Sequence, residues 1–574
     1  MNFEQLFAAE RREVNGYSLP QSSRQAAVAL TFLSKQIPSA LISEQLAKSL
    51  YAETGASVVL VRMQPFDVRS AYGFDDNATV VDWASSDLVL QGQFRTCSLF
   101  RTEAGFHILT LSVRTGPTSP EWAASLLGPL KRHFRHVLVE IPGHEGTAGL
   151  MLELMKCSDQ AYLFLEAASS DVANLDRFMQ DLMASGPVNL NQFKPVLCLP
   201  EGVRGAEFEP IVRNATTPIE RFVHESPRLS ALDDPDATTR LTRRFNADLR
   251  RLARELSGRL VGLALSSGAA KGFAHIGVIQ VLEENGIEVD VVAGASIGAY
   301  IGALWTYGYN GTKLEALARE MESRWDFWSL LDPVFPPRQG FLRGFALRKR
   351  LMRSIGDARF SDLGRPLRVV AGNLANLDRT VFATGEVAPI VHASMAVPGI
   401  CVPVMIDGEA YIDGGVVDPV PVDLLRDMGA ARVLAVNTIP VPDRLRHARG
   451  GGEPKHVPEA RAPLPGGIRK VFRKFFPLDK QLNYFAPGNL FEIVVRSVHG
   501  AQARLADAAC RQADLVLHPD VRDDRWLDCR NPGRFIALGR DVAEQNLTQI
   551  KAVLERDKIN HETQFTPRAL AAVA

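Results

Sequence analysis

The amino-acid sequence predicts an α/β protein of two domains, each an open, mostly parallel sheet with helices on both faces. Short apolar runs with strand composition recur along both halves of the chain, and stretches with helical periodicity separate them. This alternation is expected for parallel β-α-β units. The 574 residues exceed what one hydrophobic core usually organises, which predicts more than one folded unit.

The first half of the chain supplies most of the predicted strands. Residues 22–54 have a mostly helical pattern that ends at Gly55. Glycine is common just after the last residue of a helix, which supports an end there. Four apolar runs then predict buried strands, at residues 56–61, 137–141, 161–165 and 195–199.

A turn-rich segment near residue 230 predicts the boundary between the domains. The stretch from Thr238 to Leu256 is typical of a charged amphipathic helix and predicts a linker with a solvated arginine face. The predicted organisation is a first domain at residues 1–230, a linker at 231–258, a second domain at 259–556 and a tail at 557–574.

In residues 1–230, one apolar run leads into Pro142-Gly143, and another follows Ser158-Asp159. This order of elements resembles the deviant P-loop ATPases of the MinD type. The lead-in at residues 19–26 lacks the G-K-[ST] signature, so phosphate binding of the P-loop kind is not expected. We therefore expect a regulatory or structural domain, with an ATP-dependent regulator as the alternative.

Composition limits the classes of function. Lys plus Arg and Asp plus Glu both number 65, so no net charge indicates a nucleic-acid partner. The six cysteines are scattered and form no C-x-x-C, which predicts neither a zinc site nor a disulfide framework. No metal or cofactor is expected. The N-terminus has no signal peptide, and no apolar run approaches the ~18 residues of a membrane span, so a cytoplasmic location is expected.

Gly294-Ala295-Ser296-Ile297-Gly298 is the first motif that indicates chemistry. An apolar strand-type run precedes it at residues 289–293, and a helix-type run follows it at 299–305. Strand, glycine-flanked serine and helix together predict a nucleophile elbow. The glycines permit a sharp turn, and the hydroxyl lies at a helix N-terminus. The alternative is a tight turn with a serine that takes no part in chemistry.

Two further turns carry candidate residues. The small-residue loop 266–272 joins a predicted strand at 260–265 to a predicted helix at 273–285, and its backbone N–H groups could bind an anion. Downstream, Asp413 follows a short strand and precedes Gly414-Gly415, so backbone structure holds its carboxylate. The alternative for Asp413 is an ordinary Asp-Gly turn.

The ordered motifs, together with the A-S-M-A-V-P-G run near residue 396, resemble the patatin-like phospholipases, and in particular the bacterial relatives of neuropathy target esterase. The resemblance covers about residues 258–555. It implies Ser296 as nucleophile and Asp413 as general base of a serine acyl hydrolase. Its implied substrate is a phospholipid or lysophospholipid ester. The residues that it implies for oxyanion and substrate binding are Gly268, Ala269, Ala270, Lys271 and Gly272.

The glycine loop departs from the family pattern. Ser267 and Ala269 stand where glycine is usual, and a Cβ at a position with positive φ costs on the order of 1 kcal/mol or more. The alternative function is therefore a catalytically weak or inactive lipid-binding or scaffold protein of the same fold. His275 and His392 are alternative bases, but both lie in apolar helical patterns typical of core or cap histidines.

Contact with a membrane surface is expected of a lipid hydrolase. The aromatic segment at residues 325–331 and the basic, aromatic segment at 468–476 are the candidates for such contact. The cations around Arg350 are interpreted as a solvated helix face. The sequence carries no signal of the oligomeric state, the lipid head group or the acyl position.

Overall fold

The chain divides into two compact units, Met1–Gly258 and Arg259–Ala574. Each contains a sheet of mostly parallel strands flanked by helices, which confirms the predicted fold class. The computed structural model describes residues 25–65, 79–81, 94–113, 120–141, 148–184, 189–213, 215–229, 241–322, 332–336, 338–439, 490–521 and 528–562.

The described part of the first unit contains nine strands: β1 Ala26–Phe32, β2 Val58–Pro65, β3 Thr79–Val81, β4 Phe94–Arg101, β5 His107–Val113, β6 His136–Ile141, β7 Gln160–Glu166, β8 Phe193–Cys198 and β9 Arg221–Val223. Its helices are α1 Ser39–Thr54, α2 Pro120–His133, α3 Ala148–Cys157, α4 Ser169–Ala184, α5 Gly205–Arg213 and α6 Arg243–Leu256. The sheet order is β3-β4-β5-β2-β6-β1-β7-β8-β9. Only the β3-β4-β5 end of this described sheet is antiparallel.

Strand β1 corrects the prediction that residues 22–54 are mostly helical. Ala26–Phe32 pairs in parallel with β6 on one side and β7 on the other, and the helix begins only at Ser39. Nearly all of the strand is buried. A strand covered on both faces has no polar alternation, so periodicity cannot distinguish it from a buried helix.

The position of β1 also moves the loop at which a P-loop would occur. The first strand-to-helix connection is residues 33–38, whereas residues 19–24 of the lead-in lie outside the described residues and Ala26 already belongs to β1. The connection contains neither glycine nor G-K-[ST]. Ile37 is buried in the core, and the Gln36 carbonyl accepts a hydrogen bond from the Leu229 N–H at 3.0 Å. Residues suited to cradle a phosphate are therefore missing from this described loop as well.

Helix α6 is not a linker with a solvated face. Phe245, Leu249 and Leu252 on this helix are buried in the same hydrophobic cluster as the residues of α1 and the central strands. The helix begins at the Thr242 cap, whose hydroxyl accepts from the Phe245 N–H at 3.1 Å. It is an integral layer of the first unit.

Buried charges attach α6 to the sheet of the first unit. Glu255 accepts hydrogen bonds from Lys194 at 2.7 Å and from Arg221 at 2.8 Å. Two turns earlier, Asp248 accepts from the backbone N–H of His224 at 2.9 Å and pairs with its ring Nδ1 at 2.7 Å. The sequence shows the charged residues of the helix, but it does not show that residues on β8 and β9 form buried hydrogen bonds with them.

The described part of the second unit has eight strands: β10 Val261–Leu265, β11 Val291–Ala295, β12 Leu367–Asn373, β13 Arg379–Phe382, β14 Val404–Ile406, β15 Glu409–Asp413, β16 Arg432–Val436 and β17 Leu515–Leu517. Its helices are α7 Ala274–Glu284, α8 Ile297–Tyr307, α9 Gly311–Arg319, α10 Phe345–Ile355, α11 Val387–Ser394, α12 Val422–Asp427, α13 Leu490–Cys510, α14 Pro532–Gln545 and α15 Leu547–Glu562.

The sheet order of the second unit is β14-β15-β12-β11-β10-β16-β17, with β13 also paired to β12. Strands β12, β11, β10, β16 and β17 are parallel, and β15 joins them in the antiparallel direction. The carboxyl ends of β10 and β11 therefore share one edge, where ligands bind in open α/β sheets.

One C-terminal expectation changes. The second unit ends in two helices, α14 and α15, with Asn546 between them. The predicted tail at 557–574 begins inside α15, and residues 563–574 lie outside the described residues. None of the helices in the described ranges combines the length and apolar character needed to cross a bilayer.

The Asp248 pairing predicts a pH-dependent stability. Burial acts to raise the pKa of Asp248, but the hydrogen bonds from His224 and the charge of Arg251 outweigh it and hold the pKa below its usual value. A depressed carboxyl pKa stabilises the fold at neutral pH, and this contribution disappears as the pH falls through the folded-state pKa. Asp248→Ala should lower the free energy of unfolding by about 3 kcal/mol at pH 7.

Urea denaturation of the full chain tests this expectation, with Asp181→Ala on the exposed face of α4 as the control. The difference between Asp248→Ala and the parent should shrink below about pH 4, where the unfolded carboxyl takes up its proton. The assigned pairing is contradicted if the difference in the free energy of unfolding is the same at pH 7 and below about pH 4. It is also contradicted if Asp181→Ala loses as much stability as Asp248→Ala.

Candidate active site

Ser296 lies at the turn between β11 and α8. Its backbone has φ 54° and ψ −122°, a conformation that residues other than glycine rarely adopt. Both flanking glycines are required by close backbone contacts: a Cβ at Gly294 would collide with the backbone of Gly298, and one at Gly298 would collide with the Leu265 carbonyl. The sharp strand-to-helix turn predicted from the motif is present, and Ser296 is 5% exposed.

Ser394 holds this turn from the side of α11. The Ser296 N–H donates to Ser394 Oγ at 2.8 Å, and Ser394 Oγ donates to the Val370 carbonyl at 2.6 Å. The sequence prediction includes Ser394 only as a letter in the A-S-M-A-V-P-G run. Its role was not predictable, because its partners lie far away in the chain.

Asp413 lies at the end of β15 and reaches Ser296 directly. Ser296 Oγ donates to Asp413 Oδ2 at 2.5 Å, across 117 residues of sequence. The Gly415 N–H donates to Asp413 Oδ1 at 2.7 Å. A Cβ at Gly414 would collide with the Val370 carbonyl, so the turn after Asp413 requires glycine there. The two residues singled out in the sequence are therefore hydrogen-bonded neighbours.

The environment of Asp413 changes its acidity. Burial raises the pKa of Asp413 to about 6, while the hydrogen bonds from Ser296 and Gly415 act in the opposite direction. The side chain is 2% exposed, so water does little to stabilise its charge. A carboxylate with a pKa near neutral can accept a proton and return it at physiological pH.

The small-residue loop follows β10 and forms a short 3-10 turn, Ala269–Phe273. The first N–H groups of such a turn have no partner within it. Among the residues that the structure describes, the N–H groups of Gly268, Ala269 and Ala270 have no hydrogen-bond acceptor. A Cβ at Gly272 would collide with the Ile297 side chain, so the loop packs directly against the first residue of α8.

Lys271 is placed differently from the sequence prediction, which groups it with the oxyanion and substrate-binding residues. Its Nζ donates to the Val521 carbonyl at 2.7 Å, and its backbone N–H donates to the Gly268 carbonyl at 3.2 Å. The side chain is buried. Both kinds of donor are thus engaged within the protein, and Lys271 supports the loop from behind.

Ala269, one of the two substituted loop positions, has a strained backbone. Its φ is 50°, the left-handed region that favours glycine. Ser267 is not among the residues with positive φ, and its N–H donates to the Pro419 carbonyl at 2.9 Å. A Cβ at Gly268 would collide with Thr438 Oγ1, so that glycine is required.

The two alternative histidines have structural partners. His275 Nε2 donates to the Ser266 carbonyl at 2.9 Å, and burial lowers the pKa of His275 to about 4. His392 Nε2 donates to the Arg343 carbonyl at 3.0 Å, and burial lowers its pKa as well. Because Nε2 of His275 and Nε2 of His392 are each bonded to a carbonyl, neither atom is available to accept the Ser296 proton. Within the described ranges, no cluster of three or more His, Cys, Asp or Glu residues is arranged to hold a metal ion.

The site coincides with a recognised sequence family. The family model described as "Patatin-like phospholipase" matches residues 263–426, which include the loop, Ser296 and Asp413.

Similar proteins include the lysophospholipases nte1 of Aspergillus fumigatus, 30% identical over 310 residues, and NTE1 of Meyerozyma guilliermondii, 31% identical over 307 residues. The first match covers 54% of this chain and 19% of the relative, and the second 53% and 20%. The chain therefore spans about a fifth of the length of the curated relatives it matches.

Among solved structures, VipD from Legionella pneumophila is similar with a TM-score of 0.32 and 16% identity, over 51% of this chain and 67% of that one. MinD from Aquifex aeolicus is similar with a TM-score of 0.29 and 14% identity, over 41% and 97%. At these scores neither likeness supports a conclusion.

The Ser394 bridge predicts a large effect on stability. Ser394→Ala removes the acceptor of the Ser296 N–H and a donor to the Val370 carbonyl, and leaves the buried N–H of Ser296 unpaired. We expect a loss of about 2 kcal/mol in the free energy of unfolding. Chemical denaturation measures it. The matched control is Ser43→Ala, because Ser43 is buried and its hydroxyl has no hydrogen-bond partner among the described residues. Equal losses in the two variants would refute the bridge.

Proposed function

We propose, because residues 263–426 match the patatin-like phospholipase family model, that this chain is a serine acyl hydrolase with a Ser296–Asp413 dyad. The observation that carries the proposal is the 2.5 Å hydrogen bond from Ser296 Oγ to Asp413 Oδ2. A nucleophile within hydrogen-bond reach of its base is the geometry that acyl transfer requires.

In the proposed reaction, Asp413 accepts the hydroxyl proton of Ser296 as Oγ attacks the ester carbonyl carbon. The tetrahedral intermediate collapses, the C–O bond to the alcohol breaks, and Asp413 returns the proton to the leaving oxygen. An acyl-enzyme remains on Ser296. Asp413 then deprotonates a water molecule that attacks the acyl carbon, and the fatty acid leaves as Ser296 regains its proton.

The negative charge of the intermediate needs donors beside Ser296. The N–H groups of Gly268, Ala269 and Ala270 are proposed for this role, since they have no acceptor among the described residues. The loop packs against Ile297, the first residue of α8. The positive end of that helix favours charge on the attacked oxygen. The N–H of Ser296 is engaged by Ser394 and is not part of the proposed set.

The proposed substrate is a phospholipid or lysophospholipid ester. Its support is the family match and the name lysophospholipase carried by the similar proteins, which this chain covers only in part. Contact with a membrane surface belongs to the same proposal. The two segments predicted for that contact, residues 325–331 and 468–476, lie outside the described residues and stay predictions.

A second candidate is a lipid-binding protein of the same fold with little or no catalysis. The strained φ of 50° at Ala269 favours it, because a Cβ in the loop resists the backbone conformation that glycine adopts freely. Removing one oxyanion donor costs about 10²–10³ in rate in other hydrolases. The dyad geometry favours the enzyme over this candidate.

Reaction with a fluorophosphonate probe separates the two candidates. An activated serine displaces fluoride from the probe, so the parent protein should be labelled rapidly, and Ser296→Ala should lose both labelling and hydrolysis of p-nitrophenyl esters. Ser43→Ala, at a buried serine of the first unit, serves as the matched control and should label like the parent. Labelling of Ser296→Ala at the parental rate would remove Ser296 as nucleophile.

The proposed base predicts a pH profile. Burial raises the pKa of Asp413 to about 6, and only the ionised carboxylate can accept the serine proton. We therefore expect kcat/KM to fall about tenfold per pH unit below that pKa and to level off about one unit above it. Ester hydrolysis measured from pH 4.5 to 8.5 tests the profile, and a flat rate across pH 5–7 would contradict it.

Asp413→Asn adds a stability measurement with a defined sign. A carboxyl whose folded pKa is raised loses stabilising effect as the pH rises from the unfolded value of about 4 through its folded value. Asp413→Asn should therefore be inactive, yet more resistant to thermal unfolding than the parent at pH 8. The advantage should vanish near pH 4.5. A destabilised variant at pH 8 would show that the charged carboxylate is favoured in the fold.

A further inference from the structure

The charge of the second unit is uneven beside the site. Residues 338–356 contain six cations and no acidic residue, in a chain whose formal net charge is zero. This segment includes all of α10. Asp332 is the nearest described acidic residue before this segment. Its carboxylate accepts hydrogen bonds from the N–H groups of Gly344 and Ala346 at the start of α10. The concentration of positive charge requires an explanation beyond solubility.

Helix α10 presents one exposed face of mixed chemistry. Phe345, Lys349, Met352 and Arg353 are spaced i, i+4, i+7 and i+8, so they lie on one side of the helix. Phe345 is 54% exposed and Met352 39% exposed, whereas Leu351 on another side is buried. We call these four exposed residues the basic–apolar face. Large apolar side chains alternating with cations are typical of a helix that lies in a membrane interface.

Four cations of this region are not neutralised within the described part of the chain. Arg338, Arg343, Lys349 and Arg353 have no ion pair there, while Arg350 pairs with Glu320 at 2.7 Å. An ordinary solvated helix face carries charges of both signs, often paired one turn apart. Here the exposed cations are left to attract an anionic partner.

The basic–apolar face is close to the nucleophile. The Phe345 ring lies 5.7 Å from the ring of His392 on α11, and His392 Nε2 donates to the Arg343 carbonyl. Two residues further along α11, Ser394 accepts from the Ser296 N–H. One packed helix thus separates this face from the elbow. The face therefore belongs to an element that packs against the helix holding the elbow.

We propose that the basic–apolar face docks this unit on an anionic phospholipid bilayer. Lys349 and Arg353 meet the negative head groups, and Phe345 and Met352 enter the boundary with the acyl chains. A soluble polyanion would engage the cations but would gain little from the two apolar side chains, which favours a bilayer as the partner. The inference deepens the proposed function, because it rests on a substrate that resides in such a bilayer.

Vesicle flotation with the full chain tests the docking face. The protein carries Ser296→Ala, so binding is scored without hydrolysis of the lipid. It should float with vesicles of phosphatidylcholine and phosphatidylglycerol, bind weakly to phosphatidylcholine alone, and be released by high salt. Each cation near an anionic surface contributes roughly fivefold in partitioning, so Lys349→Glu with Arg353→Glu should reduce binding about 25-fold or more.

Two further variants keep the outcome decisive. Phe345→Ser with Met352→Ser should weaken binding even where the charges remain. The matched control, Arg177→Glu with Met183→Ser, changes an exposed cation and a half-exposed methionine on α4 of the first unit and should bind like the parent. Thermal unfolding reports whether each variant is folded. If the charge-reversed variant does not fold, the binding of the Phe345→Ser with Met352→Ser variant tests the docking face.

Three results would overturn the docking face. The first is parental binding by folded variants in both pairs. The second is equal affinity for neutral vesicles. The third is binding lost with the cations but not with Phe345 and Met352, together with tighter binding to RNA, which would assign the face to a polyanion. Hydrolysis dependent on Ser296 is measured separately. Docking without hydrolysis would contradict only the proposed function, and hydrolysis without docking would contradict only this inference.

Discussion

The second unit is organised by one short hydrogen bond, from Ser296 to Asp413. Two elements of opposite direction must meet for it to form. Ser296 follows β11, a parallel strand at the middle of the sheet, and Asp413 ends β15, which runs antiparallel to β12. Strand β12 lies between β11 and β15 and sets the distance between the two side chains. The register Ala371↔Asp413 therefore matters as much as the residues that bond.

The contact also depends on backbone segments that approach too closely for side chains. A Cβ at Gly298 or at Gly414 would collide with a carbonyl of a neighbouring strand, β10 or β12. The serine itself has a strained conformation, which Ser394 fixes through the serine N–H. Strain of this kind persists only where the surrounding structure holds it, and it commonly marks reactive sites. Ala269 carries similar strain in the neighbouring loop without the relief that glycine provides.

Two buried aspartates show that hydrogen-bond and charged partners determine whether the pKa of a buried carboxyl ends below or above its usual value. In the first unit, Asp248 is surrounded by donors from His224 and Arg251, and its pKa is held low. Its charge stabilises the packing of α6. In the second unit, Asp413 has a hydroxyl and one backbone N–H, and burial raises its pKa to about 6. Removing cations from the neighbourhood of a carboxylate trades stability for reactivity.

Local features of this chain were predictable from sequence, because they follow from neighbouring residues. The elbow at Ser296, the turn after Asp413 and the alternating strands and helices need only local spacing and glycine positions. The strand at residues 26–32 is not predictable from its pattern, because a strand buried on both faces has no polar period. The burial of α6 is not predictable either, because its charged residues find partners on distant strands.

The meeting of Ser296 with Asp413, the bridge through Ser394 and the inward course of Lys271 were decided by tertiary structure alone. Each joins residues far apart in the chain through the pairing of strands, and hydrophobic pattern and residue spacing carry no information about which distant groups the packed sheet brings within hydrogen-bond distance.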